Sequence, residues 1–372
     1  MDFAFSEEQE QLRAQARRFL DERYPIERVT SIADGEGFPR DEWREVADLG
    51  WTAISVPDDQ GGAGLGFLEE LIVAEEMGRA LYPGPYFSSV ILGLDALRWS
   101  GAERIREMAS GSRIATVAWA GEDGRFGVDP APKVAWDEPS SSLTCTKLFV
   151  PDLEVADLIA VVGEAEGKTR MWALTDVNGP GVRRRAMPAV DTTRRLGELV
   201  LEGASAYELS PTEDPHRLYG LRDRALAALA AEAVGAAARA LELGIEHARA
   251  RQQFGRPIGM FQAVSHQLAE AFVEIETARS LAYWAGWAVA KGAPEASVAA
   301  ATAKARAAEA AVTACERAIQ VHGGIGFTWE HPLHRYYKRA LGISVIFGWG
   351  SELRGAVAGA LLDEGGSTGA QP

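Results

Sequence analysis

The sequence predicts an α+β chain built in three parts: an all-α N-terminal domain (residues 1–111), a middle antiparallel β domain (112–212) and a C-terminal four-helix bundle (213–363), with a flexible tail at 364–372. Three observations carry that expectation. Apolar residues recur at helical spacing between Gly/Pro breaks through the N-terminal part. From Arg113 the texture turns to short runs of Val, Ile, Thr and aromatic residues bounded by Gly, Pro and Asp, which is strand texture. From His216 onward long Ala-rich amphipathic stretches with short connections take over, the pattern of an antiparallel bundle.

The elements follow in order. Ser6 and Gln9 form a capping-box pair ahead of Leu12, Ala16, Phe19 and Leu20, so the chain opens on a helix. Further helices are expected over 39–49, 67–79 and 88–110, separated by Pro57-Asp-Asp-Gln-Gly-Gly-Ala-Gly64 and Tyr82-Pro-Gly-Pro85. Strands are expected over 114–119, 143–150, 158–162, 171–175 and 199–201. A polar link at 211–215 leads into a helix over 218–250. Its apolar stripe is Leu226, Leu229, Ala230, Ala233, Val234, Ala237, Leu241 and Ile245, with Arg239, Glu242, Glu246 and Arg249 opposite. Helices over 261–291 and 295–321 and a shorter one from Leu333 complete the bundle.

Composition narrows the function classes. With 47% hydrophobic and 24% charged residues among 372, the chain reads as globular rather than disordered or fibrous. A net charge of −15 opposes a phosphate backbone, so nucleic acid is not an expected partner. Two cysteines, Cys145 and Cys315, are too few for a disulfide framework or a zinc cage and point to a reducing cytoplasm. Met1-Asp-Phe-Ala-Phe-Ser-Glu-Glu8 has no basic start followed by an apolar run, and no run of roughly 18 apolar residues occurs anywhere. A soluble chain with no membrane partner is expected.

Few familiar catalytic motifs are present. Gly61-Gly-Ala-Gly-Leu-Gly66 and Gly323-Gly-Ile-Gly326 match neither G-x-G-x-x-G nor a P-loop, and no parallel α/β alternation follows them. His322, His331 and His334 cluster in sequence without the Cys or acidic spacing of a metal site, so no metal is expected. The sharpest feature is Arg251-Gln-Gln-Phe-Gly-Arg-Pro-Ile258, leading through Phe261 and Gln262 into the next helix. An Arg there suits a pyrophosphate and a Phe suits a purine face, although composition alone gives only a helical hairpin with a basic cap. A second concentration, Gln320-Val-His-Gly-Gly-Ile-Gly-Phe-Thr-Trp-Glu330, has glycines that admit a ligand or a second subunit close to the backbone.

Together these two stretches resemble the acyl-CoA dehydrogenase family, whose signatures read R-x-x-F-G-x-x-I followed by F-Q, and Q-x-x-G-G-x-G. Leu49-Gly-Trp51, Gly61-Gly-Ala-Gly64 and Ala74-Glu-Glu-Met-Gly78 are similar to the family's first domain, so the resemblance spans nearly the whole chain. It implies FAD as cofactor, an acyl-CoA substrate, and a homo- or hetero-oligomer, a dimer or a dimer of dimers. It also implies that Arg251 meets the pyrophosphate and Phe254 the adenosine end, with Gln253, Phe261 and Gln262 nearby. Gln320, Gly323 and Gly324 would approach the same dinucleotide from a neighbouring chain.

The resemblance also locates departures. Ala118-Trp-Ala-Gly-Glu-Asp-Gly124 replaces the family's Thr-Glu-Pro…Gly-Ser-Asp run, and Thr146-Lys-Leu-Phe-Val-Pro-Asp152 carries Pro151 where a Thr hydroxyl faces the flavin. Dehydrogenation of a thioester needs a carboxylate to take the α proton. Phe347 in Val345-Ile-Phe-Gly-Trp-Gly350 occupies that Glu position, and the alternative position on the first bundle helix falls at Ala225. Trp349 and Ser351 replace the Thr and Gln that follow the base. Glu232 is a weak substitute base and Asp223 a weaker one; a solvated or interface ion pair is the competing reading of Glu232. The pattern, with Phe327-Thr-Trp-Glu-His331 and Asp191-Thr-Thr-Arg-Arg195, resembles the heteromeric actinobacterial steroid and cholesterol side-chain type, in which one subunit supplies the base. The expected function is α,β-dehydrogenation of an acyl-CoA by an FAD flavoprotein subunit lacking the base. The alternatives are a self-sufficient homo-oligomer with an unusual base and a non-catalytic paralogue.

Overall fold

The computed structural model describes residues 5–35, 37–98, 100–128, 130–209 and 215–365; most of the expected link at 211–215 and of the tail at 364–372 lies outside them. The helices are α1 (Glu7–Arg23), α2 (Ile26–Ala33), α3 (Arg40–Asp48), α4 (Phe67–Ala80), α5 (Leu94–Leu97) and α6 (Ala102–Ala109), then α7 (Pro215–Ala250), α8 (Gln262–Lys291), α9 (Ala296–His322), α10 (Leu333–Val345) and α11 (Gly350–Gly365). The strands are β1 (Ala115–Ala118), β2 (Ala135–Asp137), β3 (Ser142–Pro151), β4 (Leu158–Ala165), β5 (Lys168–Leu174), β6 (Val182–Met187) and β7 (Leu196–Glu208), with a small pair, β8 (Gln252–Gln253) and β9 (Arg256–Pro257).

Local signals explain most of these boundaries. The Ser6–Gln9 capping box is present in both directions, satisfying two donors at the start of α1. The single helix expected over 88–110 is three pieces: a π-helical turn at Tyr86–Gly93, then α5 and α6. The break before α6 falls at Gly101, whose φ of 110° cannot continue a helix. Helices α2 and α11 and strands β2, β6, β8 and β9 lie outside the expected elements.

The described residues form two compact units, one drawn from 27–70 and 83–225, the other from 5–26, 71–82 and 226–365. In the first, seven strands run in the order β1-β4-β5-β7-β3-β2, with β6 on β7. All pairs are antiparallel except β1 with β4, which are parallel in the register Ala115↔Leu158 to Ala118↔Val161. The expectation of a purely antiparallel domain is corrected there. Strand texture reports burial and not direction, and the 39 residues between the two strands are long enough for a crossover. Leu143, Val150, Ile159, Trp172, Leu199 and Leu201 form the core beneath the sheet.

In the second unit, α8 and α9 meet through alanine. Ala271, Ala278, Ala282 and Ala285 of α8 and Ala299, Ala303, Ala307 and Ala314 of α9 are buried, so small side chains bring the helix axes close. Among the described residues no helix is long and apolar enough to cross a membrane.

Candidate functional site

Arg251, Gln253, Phe254 and Phe261 lie on the short connection between α7 and α8, and Gln262 is the first residue of α8. Strands β8 and β9 pair through Gln252↔Pro257 and Gln253↔Arg256, and the Ile258 amide closes the loop on the Arg251 carbonyl at 2.8 Å. The two turn residues, Phe254 and Gly255, both have positive φ (53° and 79°), as a tight hairpin turn requires. Glycine adopts that shape freely, but for Phe254 it costs on the order of 1 kcal/mol. The Phe254 ring is nonetheless 92% exposed, touching Phe261 edge-on with centroids 6.1 Å apart. Arg256 lies over the other aromatic, 4.1 Å from the Phe261 centroid. Arg251, Gln253 and Gln262 are exposed beside them.

Gln320, Gly323 and Gly324 sit at the end of α9. Gly323 ends the helix with φ 66° and ψ −140°. A Cβ on Gly324 would meet nothing within 4 Å, so its missing side chain answers no internal packing need and leaves bare backbone facing outward. The two groups of residues share one end of their unit, because the His247 ring of α7 stacks on His322 of α9 with centroids 4.2 Å apart and planes inclined by 29°. Arg251 follows His247 by about one helical turn, and Gln320 and Gly323 flank His322.

The two middle segments that depart from the family pattern are also neighbours. The Leu148 amide donates to the Ala120 carbonyl at 3.1 Å. Lys147, fully buried, donates to the carbonyls of Val162 (2.6 Å) and Trp119 (3.3 Å), and burial pushes its amine down to about 8. Phe149 has φ 54°, a left-handed bulge in β3, and its amide meets Met187 Sδ at 3.4 Å. Pro151 offers no N–H, and its carbonyl accepts from the Thr116 hydroxyl at 2.6 Å.

The two positions at which the resemblance leads one to expect a base, Phe347 and Ala225, are both apolar. Phe347 is 4% exposed, with φ 58°, in the turn after α10, and Ala225 is fully buried. Of the substitute candidates, Asp223 is buried and accepts from Arg222 at 3.0 Å. Glu232 is buried and forms an ion pair with Arg339, whose guanidinium also reaches the Tyr82 carbonyl at 3.4 Å. This makes Glu232 an interior pair member rather than a solvated one. Sequence reasoning missed both Arg339 and Lys304. Lys304 is buried on α9 and donates to the carbonyls of Ser344 (3.0 Å) and Gly348, bracketing Phe347. A signal for it existed: one lysine inside the alanine stripe of 299–311.

Models of the acyl-CoA dehydrogenase N-terminal domain and C-terminal domain match residues 6–109 and 224–362. The chain is 36% identical over 317 residues to acyl-CoA dehydrogenase IpdE2 of Mycobacterium tuberculosis, covering 84% of each chain. It is 34% identical to acyl-CoA dehydrogenase FadE27 of the same organism, over 82% of this chain and 83% of the other. Among solved structures, it resembles the ChsE4–ChsE5 complex from M. tuberculosis (TM-score 0.88, 30% identity, 100% of both chains). It resembles the Tcur3481–Tcur3483 steroid ACAD equally well (TM-score 0.88, 30% identity, 97% of this chain and 99% of that one). The chain belongs to the acyl-CoA dehydrogenase family.

Proposed function

We propose that this chain is an FAD-binding subunit for α,β-dehydrogenation of an acyl-CoA thioester, that its substrate is a bulky or steroid-derived acyl group, and that it works beside a second acyl-CoA dehydrogenase subunit that supplies the base. One observation carries the reading: the base position holds Phe347, buried in a left-handed turn. The heteromeric part is supported by the likeness to a solved ChsE4–ChsE5 complex, and the steroid part by the Tcur3481–Tcur3483 steroid ACAD.

The residues present fit a dinucleotide. Arg251 is an exposed guanidinium with no ion pair among the described residues, suited to a bidentate hold on a pyrophosphate. Phe254 offers a ring face to an adenine, and holding it exposed in a strained turn makes sense when something covers it. Gln253, Gln262 and Gln320 add amide donors and acceptors, and the open backbone at Gly323 and Gly324 admits close approach. FAD, when bound, supplies the acceptor for the hydride that leaves the β carbon. Phe347 cannot take the α proton; its role is an apolar wall that keeps water out. Lys304 holds the turn that carries this wall.

The test is purification alone and after co-expression with an acyl-CoA dehydrogenase chain that has Glu at the equivalent turn, measuring flavin per chain and steroid acyl-CoA oxidation. The expected result is turnover from the pair and none from the single chain. Full turnover from a homo-oligomer overturns the heteromeric reading, and absence of flavin from every preparation makes the chain a non-catalytic paralogue.

A further inference from the structure

We propose that His247, His322 and His331 form an imidazole joint that positions the glycine turn at Gly323 against the Arg251 hairpin, and that protonation of its outer rings, His247 and His331, opens the joint and releases the dinucleotide. The flavin part of this inference rests on the function proposed above; the joint itself does not.

The three rings come from three segments: the last turn of α7, the last residue of α9 and the loop before α10. His322 is central. It stacks on His247 at 4.2 Å and meets His331 at 4.3 Å between centroids, inclined by 56°. Both outer rings belong to segments that lead into expected dinucleotide-binding residues or follow them.

Hydrogen bonding places a proton on one nitrogen of His322 and fixes the protonation state of His331 in the closed joint. His322 Nδ1 lies 2.8 Å from the Ala318 carbonyl, which only accepts, so this nitrogen carries the proton. The Leu333 amide donates to His331 Nδ1 at 3.3 Å, so that nitrogen must keep its lone pair and the ring must be neutral. Protonating His331 sets two donors against each other at the start of α10. His247 and His322 meet face to face while His331 meets His322 at a tilt, and no described group of three His, Cys, Asp or Glu side chains is arranged to hold a metal ion.

The charged surroundings favour the neutral stack. Arg251 of the hairpin acts on His247, and His334 of α10 acts on His331, each opposing a positive ring. Burial first, then His322, and after it Arg251 for His247 and His247 and His334 for His331, hold both imidazoles below the ordinary value of 6.5. The nearby acids are otherwise engaged. On α7 Glu246 pairs with Arg239; on α8 Glu270 and Glu274 pair with Arg317 of α9; on α9 Glu316 accepts from Tyr337. In the loop Glu330 is exposed and bonded to Thr328, and on α10 Lys338 lies over Trp329. Because the folded rings bind protons less readily than free imidazole, the closed joint is stable above about pH 6.5 and weakens as pH falls below it.

The test uses the full chain as purified, in complex where a partner is required. Two quantities are read between pH 5.5 and 7.5: flavin retained on gel filtration, and amide hydrogen exchange of residues 322–333 corrected for the intrinsic pH dependence of exchange. Wild type is expected to lose protection of this segment and to hold flavin about tenfold more weakly at pH 5.5. His322→Phe keeps a ring against both neighbours and places a charged His247 over an aromatic face, which is attractive, so the acid loss shrinks to the part that His331 and its bond from the Leu333 amide still carry. His322→Ala loosens the segment at every pH. Identical pH profiles for wild type and His322→Phe overturn the joint. Acid-sensitive exchange in wild type alone, in a chain without flavin at any pH, supports the joint and removes the flavin reading instead.

Discussion

Lys304 donates from its buried Nζ to the Ser344 carbonyl oxygen at 3.0 Å, and the same amine reaches the Gly348 carbonyl, so one side chain of α9 ties down both sides of the turn that carries Phe347. Burial pushes this amine down from 10.5 to about 7, against a small opposing pull from Glu352. In the unfolded chain Lys304 keeps its proton to about 10.5; in the folded chain it releases it near 7. Between those values the unfolded state binds more protons, so raising pH favours folding through this residue; below about 7 both states are charged and the dependence vanishes. Relative to Lys304→Met, wild type is expected to gain up to ~1.4 kcal/mol per pH unit through this window. Urea unfolding at pH 6.5 and pH 9 checks it; parallel behaviour of the two proteins rules it out.

Two glycines of α7 are expected to respond to alanine with opposite signs. A Cβ on Gly235 would come within 1.8 Å of the Glu75 carbonyl oxygen and 2.8 Å of the Arg79 amide, backbone atoms of α4 that cannot rotate away. Gly235→Ala is expected to cost about 3 kcal/mol or more, because the helices must separate. Gly220 has nothing within 4 Å of its Cβ position, and Gly220→Ala is expected to gain up to about 1 kcal/mol from helix propensity alone. Thermal melting of the two variants reads the difference, and a shared sign contradicts it.

Glu232→Gln separates structure from chemistry. The Glu232–Arg339 pair is buried on both sides, so neutralising one partner leaves an uncompensated guanidinium, and a loss of about 3 kcal/mol is expected. Turnover per bound flavin in the complex is expected to stay at the wild-type level, since the carboxylate is held by Arg339. A collapse of turnover with stability intact would make Glu232 the base after all. Glu232→Leu combined with Arg339→Met should recover much of the stability lost by the single variant, because no charge is left stranded.

What could be read from the sequence divides along the range of the interaction. The Ser6–Gln9 cap rests on an interaction three residues apart, and its residue types announce it; the segment at 251–258 is legible as a connection between two helices, but not its β8–β9 pair. Glu232, Arg239 and Glu246 share a helical stripe in sequence, yet only Arg239 and Glu246 pair; Glu232 finds Arg339, 107 residues away. The histidines at 322, 331 and 334 are visible as a local group, but the ring that gives His322 its stacking partner is His247, on another helix. The parallel β1–β4 pair is hidden for the same reason, since pairing direction is set by the connection and not by strand composition. The expectation that Phe347 replaces a base rests on one position within a short motif, which is local information. Lys304 stands out as a lysine within an alanine stripe, but the turn it secures cannot be read from the sequence, because its partners are carbonyl oxygens, which every residue has.

Phe254→Gly is expected to uncouple stability from cofactor affinity. Gly at φ 53° relieves about 1 kcal/mol of left-handed strain. Against that stands only the edge-on meeting with Phe261 of a ring already 92% exposed, worth about as much or less. The flavin-free protein should therefore melt at the wild-type temperature or slightly above it. If the ring covers the adenine, its removal forfeits stacking worth about 1–3 kcal/mol, so flavin affinity should fall about tenfold or more. Phe254→Trp, which keeps a face of greater area and retains the strain, should hold flavin at least as tightly as wild type while gaining no stability. Fluorescence titration of flavin into stripped protein, alongside melting curves without flavin, gives both readings. Unchanged flavin affinity in Phe254→Gly would remove this ring from the cofactor site and leave its exposed, strained position to be explained by a protein partner.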